Sequence, residues 1–559
     1  MIKKFFLKNY GFLFAPFFVL IFFFATEAIF GIWPFGKTII ASYDMLAQIC
    51  PTLEHYFNVF EGKSGLFHSF FLGGGADMFG LVAYCTLSPF SVLFFIFGKG
   101  NAFYAVSIVL PLKVACIALS ALFSLKRHFP TIPRYVSAAF AVLYSLGGYF
   151  CMANTYIVWL DFMIYMPFVA SAFIKLKDGG SIKSLAISLS LCVYACFSIA
   201  CFSFLTLYPM GVLYALVCLE KQRRKEFTAK FSLAFVIAVA LSLPIILPSA
   251  AAYANAGRNT GLFSEIFNSD VRSADHLYTK FTYVICDAPF IFASAVYFFR
   301  KRNEKLTLFL FSALVFCLLP CLIDESMMLL NMGSYYSYSL RFGFISGFLF
   351  FFTAALEARD LFAEAETTPT KKASIISFVS LTALSLIVIS GEIFLFVFLY
   401  RGINGFEKEN AFYEFFPRFA HSVGGLEVSA MIFGGIAIAL TVATIFYKLG
   451  LARRARLAIL LVPLMLSQSV FYGAAVLKGD SDGNGASAAK YDYYASMLSD
   501  IDEIDGSLYR LKSYNYYISA DAPETLGYYS TSVFNSLADK KNISLAYSLK
   551  YGGNGTNSS

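Results

Sequence analysis

The stretch GIWPFGKTIIASYDMLAQICPTLE, residues 31–54, decides how this chain is arranged. It follows an apolar run, residues 13–30, that is long enough to cross the hydrocarbon core of a bilayer as a helix. Asp44 is the first acid after that run. An ionised carboxylate is costly beside hydrocarbon and is usually retained there for a purpose. The stretch therefore predicts a membrane span that delivers a functional acid to one face of the bilayer.

The composition of the whole chain supports a membrane location. Of its 559 residues, 58% are hydrophobic, 18% are aromatic and only 14% are charged, too few charged groups to cover a soluble surface of this size. The eleven cysteines contain no CxxC pair, so neither a zinc site nor a disulfide framework is indicated. The net charge of +8 comes from Lys and Arg dispersed between apolar runs, which is typical of cytoplasmic loops and not of a nucleic-acid binder. We predict an all-α integral membrane protein.

The basic residues predict the topology, because short loops rich in Lys and Arg stay in the cytoplasm. They collect in alternate loops, beginning with Lys3, Lys4 and Lys8 at the N-terminus. We expect about thirteen transmembrane helices, with the N-terminus in the cytoplasm and the C-terminal tail outside. The predicted spans are 11–30, 102–125, 135–153, 156–174, 184–200, 202–219, 231–250, 281–299, 306–323, 341–358, 374–400, 426–447 and 457–477.

A large first outer loop, residues 31–101, follows from this topology. Its apolar run at 81–97 is short and contains Ser88-Pro89, so we expect it to lie in the outer interface or to re-enter, and not to cross. The segment SYDMLAQICPTLEHYF, which carries Asp44, predicts a short amphipathic helix along the outer interface.

The chain divides into two regions at about residue 477. Residues 1–477 form the predicted membrane domain, and residues 478–559 begin with a polar linker and continue as an acidic, tyrosine-rich segment. We expect this tail to be a small extracytoplasmic α/β appendage that begins at LYRLKSYNYYI.

Asp44 and Asp161 are the predicted catalytic acids, since the topology places both near the outer face. Asp44 has a plainer interpretation as a solvated loop acid or a helix cap. Asp161 has one as a buried acid satisfied by a neighbouring span. If a divalent cation such as Mg²⁺ or Mn²⁺ is used, these two carboxylates are the candidate ligands.

Cations on the outer face are the candidates for binding a phosphate-bearing substrate. Arg341 starts a span and is either a phosphate ligand or an interfacial anchor. Lys113 lies in mid-span, where it either pairs with an acid or contacts a phosphate. The other candidates for substrate binding are Arg258 in a later outer loop and, beside Asp44, Gln48, Glu54 and His55.

Two blocks of the sequence resemble a known family. WPFGKTIIASYDMLAQICPTLEHYF and SFFLGGGADMFGLVAYCTLSPFSVLFFIF are similar to the opening of the YfhO-type bacterial membrane proteins, in which a PFG turn, an outer-loop Asp, a Gly-rich turn and an SPF step follow in that order. The resemblance continues through YSLGGYFCMANTYIVWLDFMIYMPF and SYSLRFGF, and more weakly into the tail.

The resemblance implies a function. The family is regarded as glycosyltransferases of the GT-C type, which use polyprenyl-phosphate-linked sugars, with teichoic-acid glycosylation as the associated role. It implies a GT-C-like bundle in the bacterial cell membrane, with Asp44 as the loop acid, Asp161 as the second acid and Arg341 as the later basic residue. Family members usually have a longer extracytoplasmic region, so the sequence is either a short variant or a fragment. The rival hypothesis is a transporter or flippase of a lipid-linked saccharide.

Overall fold

Helices make up almost all of the regular structure in the computed structural model, as a bilayer requires of chains that satisfy their own backbone hydrogen bonds. The structure describes residues 2–41, 44–73, 75–255, 287–322, 341–363, 492–500 and 521–530, together with 477, 511, 533–534, 544, 548, 553–554 and 557–558. The predicted spans 374–400 and 426–447, and all of 457–477 except its last residue, lie outside these residues.

The helices, in chain order, are α1 (Ile2–Phe30), α2 (Cys50–Phe60), α3 (Phe79–Cys85), α4 (Ser91–Phe94), α5 (Ala102–His128), α6 (Arg134–Ser145), α7 (Gly148–Ala153), α8 (Asp161–Lys177), α9 (Lys183–Ala195), α10 (Phe197–Cys218), α11 (Lys221–Asn255), α12 (Ala288–Arg300), α13 (Lys305–Leu322), α14 (Gly343–Ala363) and α15 (Ala522–Leu526). A π-helical turn, Met45–Ile49, precedes α2, and a 3₁₀ turn, Phe95–Phe97, follows α4.

Membrane-spanning segments are the dominant feature of the bundle. Within the described residues, five helical segments are long and apolar enough to cross a membrane: Leu13–Phe30, Ala102–His128, Arg134–Ala153, Phe197–Cys218 and Lys221–Ala252. The central helix is α5, which packs against α1, α6 and α8. Its C-terminal turn carries Lys126, Arg127 and His128, so the opposite end, at Ala102, points to the face that the sequence predicts to be outside.

Several predicted span boundaries differ from the observed ones, and two of them show why. The break between the spans predicted at 184–200 and 202–219 falls earlier, at Cys196, whose extended backbone (φ −163°, ψ 107°) separates α9 from α10. The span predicted at 231–250 lies inside the longer helix α11, which already begins at Lys221 because the basic residues before the span are good helix formers.

The large first outer loop folds into short elements. Its PFG turn closes tightly: the Trp33 amide donates to the Thr38 carbonyl at 2.8 Å, and a side chain at Gly36 would collide with the backbone of Gly31. Farther on, β1 (His68–Ser69) pairs with β2 (Ala76–Asp77). Residues 81–97 form α3, α4 and a 3₁₀ turn, each far shorter than the roughly 20 residues that a crossing needs.

The helix predicted from SYDMLAQICPTLEHYF is present, but it does not lie on an open interface. It consists of the π-helical turn and α2, and seven of the eleven residues of α2 are buried, including Glu54, His55 and Asn58. The cause is a partner that the sequence does not reveal, since the tail helix α15 packs directly against α2.

The tail contains both helix and strand among its described residues. Besides α15, β3 (Val533–Phe534) pairs with β5 (Asn557–Ser558), which also pairs with β4 (Gly553–Asn554). The Ser530 amide donates to the Phe71 carbonyl at 2.8 Å, and the Tyr529 ring stacks on that of Phe71. The tail is therefore seated on the first outer loop.

Candidate functional site

Asp44 stands at the start of an unusual turn. It precedes the π-helical turn Met45–Ile49 and is partly exposed. Pro51 contributes to the irregularity, because it has no amide proton and cannot complete the α-helical hydrogen bond to the carbonyl of Ala47. Single π turns recur at functional sites, where they change the direction of a side chain. The local sequence thus sets Asp44 apart from the regular helix that follows.

Tyr84 of α3 is influenced electrostatically by two of the predicted site residues, Asp44 and Arg341. Its phenol lies within electrostatic range of both side chains, although the three residues come from distant parts of the chain. Burial holds the pKa of Tyr84 well above its usual range; the positive charge of Arg341 opposes this shift and the negative charge of Asp44 adds to it. Tyr84 is therefore a neutral hydroxyl that can donate a hydrogen bond and is within electrostatic range of an acid and a guanidinium.

Arg341 is held from two sides. The Tyr149 hydroxyl donates to the Arg341 carbonyl at 2.7 Å, which fixes the backbone just before α14. The guanidinium carbon lies 5.5 Å from the ring centroid of Trp159, a cation–π distance. Trp159 in turn stacks on Tyr156 with ring centroids 4.1 Å apart. An aromatic floor therefore orients the guanidinium.

Asp161 and Lys113 form a buried ion pair. The Lys113 Nζ lies 2.7 Å from Asp161 Oδ1, with side-chain exposures of 1% and 0%. Lys113 also donates to the Ile157 carbonyl at 2.8 Å and to the Ser88 hydroxyl at 3.2 Å. The pair joins α5 to α8 and to the step between α3 and α4. Of the two alternatives for Lys113, the structure shows the ion pair with an acid.

Glu54 caps the start of α5. Its Oε2 accepts from the Gly100 amide at 2.8 Å, and its Oε1 accepts from the Ala102 amide at 2.9 Å. Burial raises the pKa of Glu54, while these amides and Lys99 oppose the shift. Carboxylates at helix N-termini satisfy otherwise unpaired amides. Both Glu54 oxygens are thus used in joining α2 to α5.

His55 faces the tail. Its Nδ1 lies 3.0 Å from Glu524 Oε2, and both side chains are buried. Asn58, one turn along α2, donates to the same carboxylate oxygen at 3.0 Å and to the Glu524 carbonyl at 2.8 Å. This His55–Asn58–Glu524 cluster attaches the tail to the helix that follows Asp44.

Of the two remaining candidates for substrate binding, the structure describes Gln48 but not Arg258. Gln48 is buried in the π-helical turn, four residues after Asp44. Arg258 lies outside the described residues. Among the residues that the structure describes, no group of three His, Cys, Asp or Glu side chains could hold a metal ion. The use of a divalent cation stays a prediction.

Sequence reasoning missed three residues. Tyr84 and Trp159 contribute to the surroundings of Arg341, but aromatic residues are too common here, at 18% of the chain, for either to stand out. Glu27, near the end of α1, is fully buried, and neither carboxylate oxygen has a hydrogen-bond partner among the residues that the structure describes. The signal for Glu27 was available, since it is an acid within the first apolar run.

Comparison with known proteins adds the fold and the family. The structure of ArnT from Cupriavidus metallidurans bound to undecaprenyl phosphate matches with a TM-score of 0.54 over 96% of this chain and 88% of that chain, at 10% identity. The cryo-EM structure of the arabinofuranosyltransferase AftD from Mycobacteria matches 68% of this chain with a TM-score of 0.41 and 13% identity. The chain spans only 26% of the length of AftD.

At 10% identity the likeness to ArnT shows a shared fold alone. No curated protein matches the sequence. The family model described as "Bacterial membrane protein YfhO" matches residues 12–559. Because that match covers nearly the whole sequence, the chain belongs to the YfhO family of bacterial membrane proteins.

Proposed function

We propose that the chain is a membrane glycosyltransferase that moves a sugar from a polyprenyl-phosphate donor to an extracytoplasmic acceptor, such as a teichoic acid or another cell-envelope glycan. The observation that carries this proposal is that Asp44 and Arg341 both lie within electrostatic range of the partly buried Tyr84. In this proposal Asp44 supplies an acid for the acceptor, and Arg341 supplies a cation for the donor phosphate. Both residues belong to the end of the bundle opposite to the basic C-terminal turn of α5.

Asp44 acts as the general base. It takes the proton of the acceptor hydroxyl while that oxygen attacks the anomeric carbon of the donor sugar. The bond from the anomeric carbon to the phosphate oxygen breaks at the same time, and its electron pair leaves with the lipid phosphate. The transition state resembles an oxocarbenium ion, by analogy with glycoside hydrolysis.

Arg341 stabilises the leaving phosphate. A guanidinium offers several parallel N–H donors that match phosphate oxygens, and it stays charged at any relevant pH. Its attachment to Tyr149 and its position over Trp159 preorganise it, so little reorientation is needed as charge develops. In this proposal the Tyr84 hydroxyl donates a hydrogen bond to the substrate.

Asp161 and Lys113 have a supporting role in this proposal. Their ion pair includes a hydrogen bond to the Ile157 carbonyl, two residues before Trp159, and a hydrogen bond to Ser88, four residues after Tyr84. The pair therefore helps to fix the positions of Tyr84 and Trp159 relative to each other. Sites of this kind need such a supporting layer to keep reacting groups in place.

The donor class is supported by the fold. The chain shares its fold with ArnT, whose structure contains undecaprenyl phosphate. A polyprenyl chain is reached from within the bilayer, whereas a polar acceptor comes from water, so the reacting groups belong at the interface. In this proposal Asp44, which follows the loop after α1, and Arg341, which stands just before α14, lie at that interface.

The test is sugar transfer from synthetic polyprenyl-phosphate sugars in proteoliposomes that contain the full chain. We expect transfer to an added glycan or teichoic-acid acceptor, with release of the polyprenyl phosphate. Absence of transfer across a panel of donors and acceptors would refute the proposal.

The second candidate is a transporter or flippase of a lipid-linked saccharide, and Glu27 favours it. Glu27 is a buried carboxylate in a transmembrane helix, without a hydrogen-bond partner in the described part of the chain, and such acids are typical proton-binding groups of transporters. The same proteoliposomes distinguish the two functions. Movement of a labelled lipid-linked sugar between leaflets without transfer, abolished by Glu27→Gln, would establish transport.

A further inference from the structure

Asp287 is a buried acid that the proposed mechanism does not use. It stands immediately before α12, and it is only 4% exposed. Its Oδ1 accepts a hydrogen bond from the Gly148 amide at 3.1 Å, whereas its Oδ2 has no hydrogen-bond partner in the described part of the chain. A carboxylate buried with so few partners is costly, and such acids are usually retained for a purpose. The contact with Gly148 indicates what that purpose is.

Two consecutive glycines allow this contact. Gly147 and Gly148 belong to the block YSLGGYFCMANTYIVWLDFMIYMPF. A Cβ atom at Gly147 would lie 2.7 Å from the Asp287 Oδ1 and 3.1 Å from the Tyr144 carbonyl oxygen, both closer than ordinary van der Waals contact. The φ angle of Gly147 is −71°, which any residue can adopt. The glycine is therefore needed for the approach of the carboxylate, and not for the backbone conformation.

The residue that follows the two glycines holds Arg341. The helix α7 begins at Gly148, and Tyr149 is its second residue. The Tyr149 hydroxyl donates to the Arg341 carbonyl at 2.7 Å, and the Tyr149 ring makes an edge contact with the Phe344 ring, with centroids 5.4 Å apart. Because α7 has only six residues, a contact at its first residue also constrains the second. Asp287 thus holds the end of α7 from which Tyr149 reaches Arg341.

The same part of the chain supplies the ring beneath the guanidinium. Trp159 lies in the turns that follow α7, and its ring centroid is 5.5 Å from the Arg341 guanidinium carbon. On its other side, α12 packs along α14, the helix that Arg341 precedes, and the Ser294 hydroxyl of α12 donates to the Phe350 carbonyl at 3.1 Å. The Asp287 contact therefore joins α12 and α14 to the segment that surrounds Arg341.

We propose that Asp287 is a positioning residue for Arg341. The hydrogen bond from the Gly148 amide fixes α7 against α12, and this places Tyr149 and Trp159 so that the guanidinium stays where the leaving phosphate needs it. A charge that is already in place stabilises a transition state without reorganisation, and it depends on supporting residues of this kind. The catalytic part of this inference rests on the proposed function, whereas the effect on the position of the guanidinium does not.

The position of the guanidinium is measured by tryptophan fluorescence of the full chain in detergent. The chain has two tryptophans, so Trp33→Phe leaves Trp159 as the single emitter. A cation over the indole face interacts with its π-electrons, and Arg341→Gln in this background gives the spectral shift that accompanies its loss. We expect Asp287→Ala to shift the emission in the same direction. The double variant Asp287→Ala and Arg341→Gln should shift no further than Arg341→Gln alone, because Asp287 acts through Arg341.

Three further variants separate positioning from a general loss of stability. Asp287→Asn keeps an oxygen that accepts from the Gly148 amide, so it should keep the native emission. Ser294→Ala is the matched control, since it removes a hydrogen bond of another buried residue of α12, to Phe350 inside α14, and it should also keep the native emission. Gly147→Ala should repeat the shift of Asp287→Ala, because the added methyl displaces the carboxylate, and it replaces Asp287→Ala if that variant does not fold.

Native emission in both Asp287→Ala and Gly147→Ala, or an equal shift in Ser294→Ala, would overturn the proposal. Sugar transfer in proteoliposomes tests the catalytic consequence. Asp287→Ala should lower kcat about tenfold and leave the KM of the acceptor unchanged, because the leaving phosphate is stabilised in the transition state. A native kcat beside a shifted emission would refute the catalytic part. If the native chain transfers no sugar but the emission shifts as expected, the proposed function fails and the positioning of Arg341 by Asp287 stands.

Discussion

Asp44 and Asp161 are both acids that the sequence places near the outer face, but their surroundings are opposite. Asp161 is completely buried and has a lysine nitrogen 2.7 Å away. Asp44 is partly exposed and lies within electrostatic range of Tyr84. A buried acid with a cation at contact distance serves to hold helices together, whereas an accessible acid can exchange a proton with a substrate. The residues around each acid determine what it can do, and only the folded structure shows which residues these are.

The largest expected effect is on catalysis, at Asp44. Asp44→Asn keeps the shape of the side chain but removes its basicity, so we expect the rate of sugar transfer in proteoliposomes to fall by about 10²- to 10⁴-fold. The thermal unfolding of the variant in detergent should match that of the native chain. A variant with more than a tenth of the native rate would show that Asp44 is not the base.

The next effect is on stability, at the ion pair. Lys113→Met leaves Asp161 buried without its cation, which should lower the free energy of unfolding by about 3–5 kcal/mol. The double variant Lys113→Met and Asp161→Leu should recover most of that loss, because no unpaired charge remains. Unfolding in detergent measures both. A double variant as unstable as the single one would contradict the pairing.

A smaller effect is expected where the tail meets the first outer loop. Glu524→Ala removes the partner of His55 and Asn58, both fully buried, and should lower the free energy of unfolding by about 1–3 kcal/mol. It should also speed proteolytic release of the tail from the membrane domain. Asp500→Asn, an exposed tail acid, is the control. Equal proteolysis of the two variants would show that the cluster does not hold the tail.

The smallest expected effect is on how the free energy of unfolding depends on pH. Two acids of the same segment, Glu54 and Glu61, should contribute to it with opposite signs. Burial raises the pKa of Glu54, so the folded chain keeps this proton to a higher pH than the unfolded chain does. Its contribution to stability therefore falls as the pH rises from the ordinary glutamate value through the raised one. Relative to Glu54→Gln, the native chain should lose stability over that range.

Glu61 should behave with the opposite sign. Hydrogen bonds from Lys99 and Lys63 lower the pKa of Glu61, so its contribution is present above the ordinary value and is lost as the pH falls through the lowered one. Because Glu61 is 38% exposed, Glu61→Gln should change stability only slightly. The test is to measure unfolding curves of Glu54→Gln and Glu61→Gln between about pH 3 and pH 8, a range around ordinary carboxyl pKa values. Slopes of the same sign would contradict the assignments.

The sequence predicts the helices well because apolar runs must be helical in a bilayer. It places Asp44 on a loop after α1, and it predicts from Ser88-Pro89 that residues 81–97 are not one continuous helix, as the short helices on either side of that step show. It does not reveal that His55 meets Glu524, because that contact joins segments far apart in the chain and carries no local periodicity. Tyr84 is missed for the same reason, because Arg341, which influences it electrostatically, is far away in the chain.

The most direct test of the account is the transfer rate of the double variant Lys113→Met and Asp161→Leu beside that of Asp44→Asn, with unfolding measured on the same samples. The account predicts that the double variant, once it is as stable as the native chain, transfers sugar within about tenfold of the native rate, because Asp161 supports the site without touching the reacting atoms. Asp44→Asn should be nearly inactive. A stable double variant as inactive as Asp44→Asn would place Asp161 in the chemistry and contradict the account.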